Sequence, residues 1–148
     1  MKDNRQSLQM SILASPSMAN FSGVVHGGEL LKILDQVAYA CATRYCGVGV
    51  VTLAVDQVHF KKSIPIGSLM HFYASVNYTG TSSCEVGIRV EFENIKTQEI
   101  THCNSSYFTM VALDAEGKKA SIPPLTPQTE EAKRRYQEAK ERRERRFV

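Results

Sequence analysis

No stretch of the sequence approaches the ~20 apolar residues that a membrane-spanning helix needs. The opening MKDNRQSLQM lacks the apolar core of a secretory signal. Four cysteines, Cys41, Cys46, Cys84 and Cys103, form no CxxC pair and no metal-finger spacing. Their neighbours are apolar or small, which points to buried free thiols in a reducing compartment, so a cytoplasmic location is expected. His59, His71 and His102 fall in separate strand-like runs, and no metal site is expected from them. There is no G-x-S-x-G elbow to make a serine nucleophile out of HGG at 26–28. No phosphate-cradling loop or dinucleotide fingerprint occurs, and no segment repeats another.

Charge is also nearly absent from most of the chain. The net charge is +3. From Gln128 to Val148 there are eight Lys or Arg against five Glu, which accounts for all of it, and the rest balances at ten of each sign. Glutamates interleave with the basic residues of this tail, so nucleic-acid binding is not expected.

What is present is a single domain's worth of chain, 148 residues with 43% hydrophobic content. Residues 27–46, GGELLKILDQVAYACATRYC, place Leu30, Leu31, Leu34, Val37, Ala38 and Cys41 at helical spacings, and Gly47 and Gly49 stop the run. This helix is apolar around most of its girth, which predicts burial. A second helix is expected over 126–146, opened by Thr126-Pro127 and rich in i,i+4 Glu-to-Arg/Lys pairs.

Four strand-like runs lie between them, at 50–60, 69–79, 84–95 and 99–114, and residues 6–14 could add an edge strand. The third run alternates, with Cys84, Val86, Ile88, Val90 and Phe92 on one face and Glu85, Arg89, Glu91 and Glu93 on the other. Turns at 64–67, 79–83 and 94–99 join the runs, the last two short enough for hairpins. Strand, long apolar helix, then four antiparallel strands predicts an α+β hotdog fold: a sheet curled around one buried helix, with the second helix appended. Residues 1–125 would form that domain and 126–148 a basic helical tail. A lone copy leaves an exposed sheet edge, so edge-to-edge pairing is expected.

The polar residues around the first helix invite a chemical reading. Gly27 and Gly28 stand at its positive end, where N–H groups are unpaired. They either shape the turn or let a ligand approach the backbone closely. Asp35 lies two turns further on, among Leu31, Leu34, Ala38 and Tyr39. It either points into an apolar place at high cost or reaches solvent, Lys32 or Arg44. Asn20 suits a cap or turn, and His26 suits a turn, a general acid/base or, as favoured here, a pocket wall. A carboxylate, an amide side chain and a helix N-terminus together suit hydrolysis of an activated carbonyl: donors hold the oxyanion while the carboxylate activates water or attacks.

With Asn20, Gly23, Gly27, Gly28 and Asp35 spaced as they are, NFSGVVHGGELLKILD resembles the signature of hotdog-fold acyl-CoA thioesterases of the brain acyl-CoA hydrolase and bacterial short-chain hydrolase type. The resemblance continues through residues 55–70, 79–86, 107–114 and 122–146 and so covers most of the chain from about residue 10. One departure is Ser63-Ile64-Pro65, where Pro is expected directly after the lysines. The resemblance implies that Asp35 is general base or nucleophile, that Asn20 is its partner in the site, and that dimers join into a hexamer, a trimer of dimers. Coenzyme A would be part of substrate and product, with no separate cofactor.

Its phosphates want basic or hydroxyl groups, for which Lys61, Lys62, Thr81, Ser82, Ser83, Arg142 and Arg143 are the candidates; each could equally be a solvated strand end, a turn, an ion-paired helix face or an oligomer contact.

Geometry adds a constraint of its own. Gly28 and Asp35 lie about 10 Å apart along one helix axis, whereas one carbonyl must sit within roughly 3 Å of both donors and base. Two antiparallel helices of a dimer meet that requirement, with Asn20, Gly27 and Gly28 from one subunit and Asp35 from the other. Two rival readings stand beside the thioesterase: a non-catalytic acyl-CoA-binding or regulatory module, and a hotdog dehydratase in which His26 would have to serve.

Overall fold

The computed structural model describes residues 4–146. Strand β1 (Ser7–Leu13) leads into helix α1 (Gly27–Cys46), followed by β2 (Val50–Asp56), β3 (Leu69–Thr79), β4 (Ser83–Asn94), β5 (Glu99–Ala112) and helix α2 (Glu130–Arg146). The five strands form one antiparallel sheet in the order β1-β3-β4-β5-β2, leaving β1 and β2 as edges. A sheet wrapped on one helix is the hotdog architecture expected from the sequence. Chain order and sheet order differ at one point: β2 pairs with β5, so residues 57–68 carry the chain from one edge to the far side.

The alternation of β4 sets the inner face. Val86, Ile88 and Val90 join Met70, Phe72 and Val76 of β3 and Phe108, Met110 and Ala112 of β5 against Leu30, Ile33, Leu34, Val37, Ala38, Cys41 and Ala42 of α1, all buried. Burial of each Leu, Val or Phe side chain there contributes about 1.5–3 kcal/mol. All four cysteines are buried and free. Burial pushes the thiol of Cys41 up to about 12 and that of Cys103 up to about 11. α1 ends where Gly47 takes φ +77° and returns its N–H to the Thr43 carbonyl at 2.8 Å.

Several boundaries differ from the expectation for physical reasons. β2 stops at Asp56 because Gln57 adopts φ +60°, which no extended strand accommodates. α2 opens at Glu130 and not at Thr126-Pro127. Its cap is Thr129, whose Oγ1 accepts from Ala132 N–H at 3.0 Å. The stretch before it is held extended by two bonds to the β3–β4 turn: Ile122 N–H to the Thr81 carbonyl and Leu125 N–H to Thr79 Oγ1. Ile64, one of the two residues between the lysines and Pro65, is buried in the core, and its carbonyl accepts from Val25 N–H at 3.0 Å.

The outer face of the sheet carries α2. Glu85, polar in the β4 alternation, is nevertheless buried there, because Arg142 of α2 grips it with two hydrogen bonds of 2.7 and 2.8 Å. The guanidinium also lies 3.6 Å from the centre of the Tyr107 ring. Burial opposes the Arg142 charge, but the hydrogen bonds and charge of Glu85 prevail and hold its pKa above the ordinary value. Arg146 pairs with Asp56 at the end of β2.

Candidate active site

α1 begins at two crossing segments. Residues 19–25 form a tight turn organised by Asn20: its Oδ1 accepts from Ser22 N–H at 2.8 Å and Val24 N–H at 3.2 Å, and its backbone N–H donates to the Val24 carbonyl. Among the described residues the Asn20 Nδ2 donates to nothing. His26 is the N-cap of α1, with extended backbone, and its Nδ1 accepts from Gly28 N–H at 2.9 Å. The imidazole is therefore a capping group, and it also lines the hollow at the start of α1. The same bond occupies the Gly28 amide in the single chain. Gly27 N–H, in the first position of the helix, remains among those with no intrahelical acceptor. The second segment, 57–68, passes over this point, and the Phe60 ring lies so close that a Cβ on Gly27 would meet it at 3.3 Å.

Asp35 is exposed in the single chain, the solvent-reaching one of the two readings its sequence left open, with exposed Leu31 and Tyr39 beside it. The cause is the helix phase. Leu30, Ile33, Leu34, Val37 and Ala38 take the buried side, and Leu31, Asp35 and Tyr39 form a stripe at i,i+4 spacing on the other. Asp35 Oδ1 accepts from Thr52 Oγ1 at 2.6 Å. Thr52 lies beside the bulge between Thr52 and Ala54 of edge strand β2, where an extra residue turns the strand locally. Sequence reasoning missed Thr52, for which the only signal is a hydroxyl in the apolar run VVTLAV.

Around this stripe the surface is apolar: Leu31, Tyr39, Val51, Leu53 and Val55 are all exposed, Leu53 at 57%. Together with the free edge of β2 this makes one continuous exposed apolar surface. Only a shallow hollow of about 310 Å³, beside His26, Gly28 and Lys32, marks the start of α1.

The remaining candidates do not converge in one chain. Lys61 and Lys62 are exposed and follow Phe60, with Lys61 N–H bonded to the Cys103 carbonyl at 3.3 Å. Thr81, Ser82 and Ser83 lie at the other end, since Ser83 pairs with Val111. Cys103 and Val111 are separated by about 26 Å of strand, at ~3.3 Å per residue. Arg143 stands by the 80–83 turn, its Cζ 3.7 Å from where a Cβ on Gly80 would be. Arg142 is buried against Glu85, so it is corrected from a candidate phosphate ligand to an anchor of α2. Among the described residues no cluster of His, Cys, Asp and Glu could hold a metal ion, and no helix is long and apolar enough to cross a membrane.

Comparison with known proteins gives the same picture. Residues 22–98 match the family model described as Thioesterase superfamily. Protein VdlD of Helicobacter pylori is 57% identical over 141 residues, spanning 95% of this chain and 80% of that protein. A crystal structure described as an apo-hexameric acyl-CoA thioesterase superposes with a TM-score of 0.92 at 37% identity, covering 97% of this chain and 92% of that one. The acyl-CoA hydrolase of Staphylococcus aureus, in complex with butyryl coenzyme A, coenzyme A and coenzyme A disulfide, gives 0.88 at 33% identity over 95% and 86%. Structures of the same hydrolase exist with an Asn, an Asp or a Thr replaced by Ala; in its numbering the Asp follows the Asn by fifteen residues and the Thr follows the Asp by seventeen. A matching family model over half of the chain and a full-length likeness in fold have one consequence: the chain belongs to the thioesterase superfamily and has its hotdog fold.

Proposed function

We propose that this protein is an acyl-CoA thioesterase that hydrolyses the thioester of an acyl-CoA to a free acid and coenzyme A, at sites shared between two subunits. The observation that carries the reading is the Asp35 carboxylate, held at 2.6 Å by Thr52 on an exposed apolar stripe. The spacings from Asn20 to Asp35 and from Asp35 to Thr52 are fifteen and seventeen residues, those of the three residues replaced in the S. aureus hydrolase.

The chemistry follows from the groups available. A water molecule attacks the thioester carbon and Asp35 takes its proton. The oxyanion is received by Gly27 N–H and the Asn20 Nδ2 of the other subunit, and collapse expels the coenzyme A thiolate, which is then protonated. Asp35 as a nucleophile forming an anhydride uses the same groups. Coenzyme A enters as substrate and leaves as product, and this chemistry calls for no other cofactor. Lys61 and Lys62 stand nearest the start of α1 for its phosphates, while Thr81, Ser82, Ser83 and Arg143 reach a site only across an oligomer contact. Residues 1–125 act as the thioesterase unit, with 126–148 appended as its tail. The dimers assemble further into a hexamer and work in the reducing cytoplasm.

The test is release of free coenzyme A thiol from a panel of acyl-CoAs. Wild type is expected to turn over, and Asp35→Ala to lose about 10²–10⁴-fold with assembly intact. Mixed oligomers of Asn20→Ala and Asp35→Ala chains are expected to regain part of the activity; silence in that mixture rules out a shared site. Tight coenzyme A binding without turnover of any acyl-CoA would favour the binding-module reading.

A further inference from the structure

The inner face of β5, otherwise Phe108, Met110 and Ala112, carries two polar residues. Asn104 and Ser106 are both wholly buried, at 0% exposure, and the Asn104 Oδ1 and Ser106 Oγ have no hydrogen-bond partner. An unpaired amide oxygen in such a place costs free energy, and a Leu of similar volume would avoid it. The other half of the Asn104 amide is used: its Nδ2 donates to the His59 carbonyl at 2.7 Å. A carbonyl only accepts, so the NH2 group must face it and the unpaired atom must be the oxygen.

His59 belongs to the segment that follows β2. There Gln57 takes φ +60°, the ladder to β5 has ended, and one further long bond, Lys61 N–H to the Cys103 carbonyl at 3.3 Å, continues along β5. The Asn104 bond is the shorter of the two. Next to His59, Phe60 is half exposed, and its ring lies on Gly27, with Cε2, Cδ2 and Cζ at 3.3, 3.7 and 3.9 Å from a Cβ built there. Gly27 carries the amide left to receive an oxyanion. A buried side chain thus fixes the carbonyl immediately before the aromatic ring that packs beside Gly27.

We propose that Asn104 is a positioning residue for the active site: by binding the His59 carbonyl it pins residues 57–62, so that Phe60 walls the start of α1 and sets the space left for the acyl group. The inference rests on the reading of that point as the thioester site. Asn104 itself touches no substrate and acts through Phe60.

Three variants of the full-length oligomer test it: Asn104→Leu, Phe60→Ala and the pair together. In hydrogen-exchange mass spectrometry, Asn104→Leu should speed exchange in residues 57–62 about tenfold, the scale of one lost hydrogen bond, with the rest of β5 unchanged. In thiol-release kinetics, Asn104→Leu and Phe60→Ala should shift KM and the acyl-chain preference in the same direction, and the double variant should lose no more than the worse single one. A purely structural role for Asn104 would lower the melting temperature and leave KM and chain preference at wild-type values, overturning the proposal. Unchanged exchange at 57–62, or losses that multiply in the double variant, would overturn it too. Phe60→Ala leaves the core untouched, so wild-type kinetics in that variant count against the proposal even where Asn104→Leu fails to fold. If wild type hydrolyses no acyl-CoA, the thioesterase reading fails by itself, and the exchange experiment still decides whether Asn104 holds the segment.

Discussion

The two helices of this chain solve opposite problems. α1 is held by area: seven or more apolar side chains enter the sheet, and the leftover stripe of Leu31, Asp35 and Tyr39 faces outward next to a free strand edge. α2 is held by a few polar and aromatic contacts: of its residues only Ala139 and Arg142 are buried, Arg142 is a charge satisfied by Glu85 and Tyr107, Tyr136 packs on Tyr78, and Arg146 pairs with Asp56. Its outward face is complete, with Arg134–Glu138 and Arg135–Glu131 pairs at i,i+4. α1's outward face is incomplete, being apolar with one carboxylate in it. A helix surface finished with ion pairs suits solvent, and one finished with Leu, Tyr and a lone Asp beside a free strand edge is the face that the proposed shared site uses.

Breaking the α1 side should have the largest consequences. Leu53→Asp puts a charge on the open β2 edge and should separate the subunits, giving a monomer by light scattering with no turnover. An oligomer that stays active would mean that this edge is not the interface. Thr52→Val keeps the shape and removes the hydroxyl that holds Asp35. Its kcat should fall about tenfold with KM nearly unchanged, since one hydrogen bond to a charged group is worth roughly 1.5–3 kcal/mol; an unchanged kcat would remove Thr52 from the site.

Breaking the α2 side should cost stability before activity. Glu85→Ala strands the buried Arg142 charge and should cost about 3–5 kcal/mol in denaturant unfolding, and adding Arg142→Ala should recover part of that loss. A cost near zero would show that α2 does not depend on this pair. Arg134→Ala, which breaks only exposed pairs, should change stability by about 0.5 kcal/mol or less, and a larger change would mean that α2's outer face meets something other than solvent.

Much of this was legible beforehand. α1 and β3 carry the ends expected, and β4, the run with clear alternation, lies within one residue of its expected ends, because such patterns are local. The four thiols are buried and unbridged, as their apolar neighbours implied. Other features were not legible because they depend on what lies across space. Gln57 ends β2 by a backbone angle that its residue type does not announce. Glu85 reads as solvent-facing until a helix 57 residues later delivers Arg142. His26 reads as a possible acid/base until its ring is seen capping the helix it precedes. Asp35 reads as either facing an apolar place or reaching solvent until the helix phase is seen: Leu34 and Ala38 turn to the core, while Leu31 and Tyr39 share its exposed stripe.

Periodicity, capping and the chemistry of an amide, a helix start and a carboxylate are properties of short stretches, so most elements and the inner face could be read from the chain alone, and Asn20, Gly27, Gly28 and Asp35 could be picked out there as candidates. Only the tertiary structure decided which amide is free, that Thr52 holds Asp35, and that Lys61 and Ser83 lie at opposite ends of β5. Those are distances between residues far apart in the chain, fixed by the strand order β1-β3-β4-β5-β2 and its register, which no local pattern encodes.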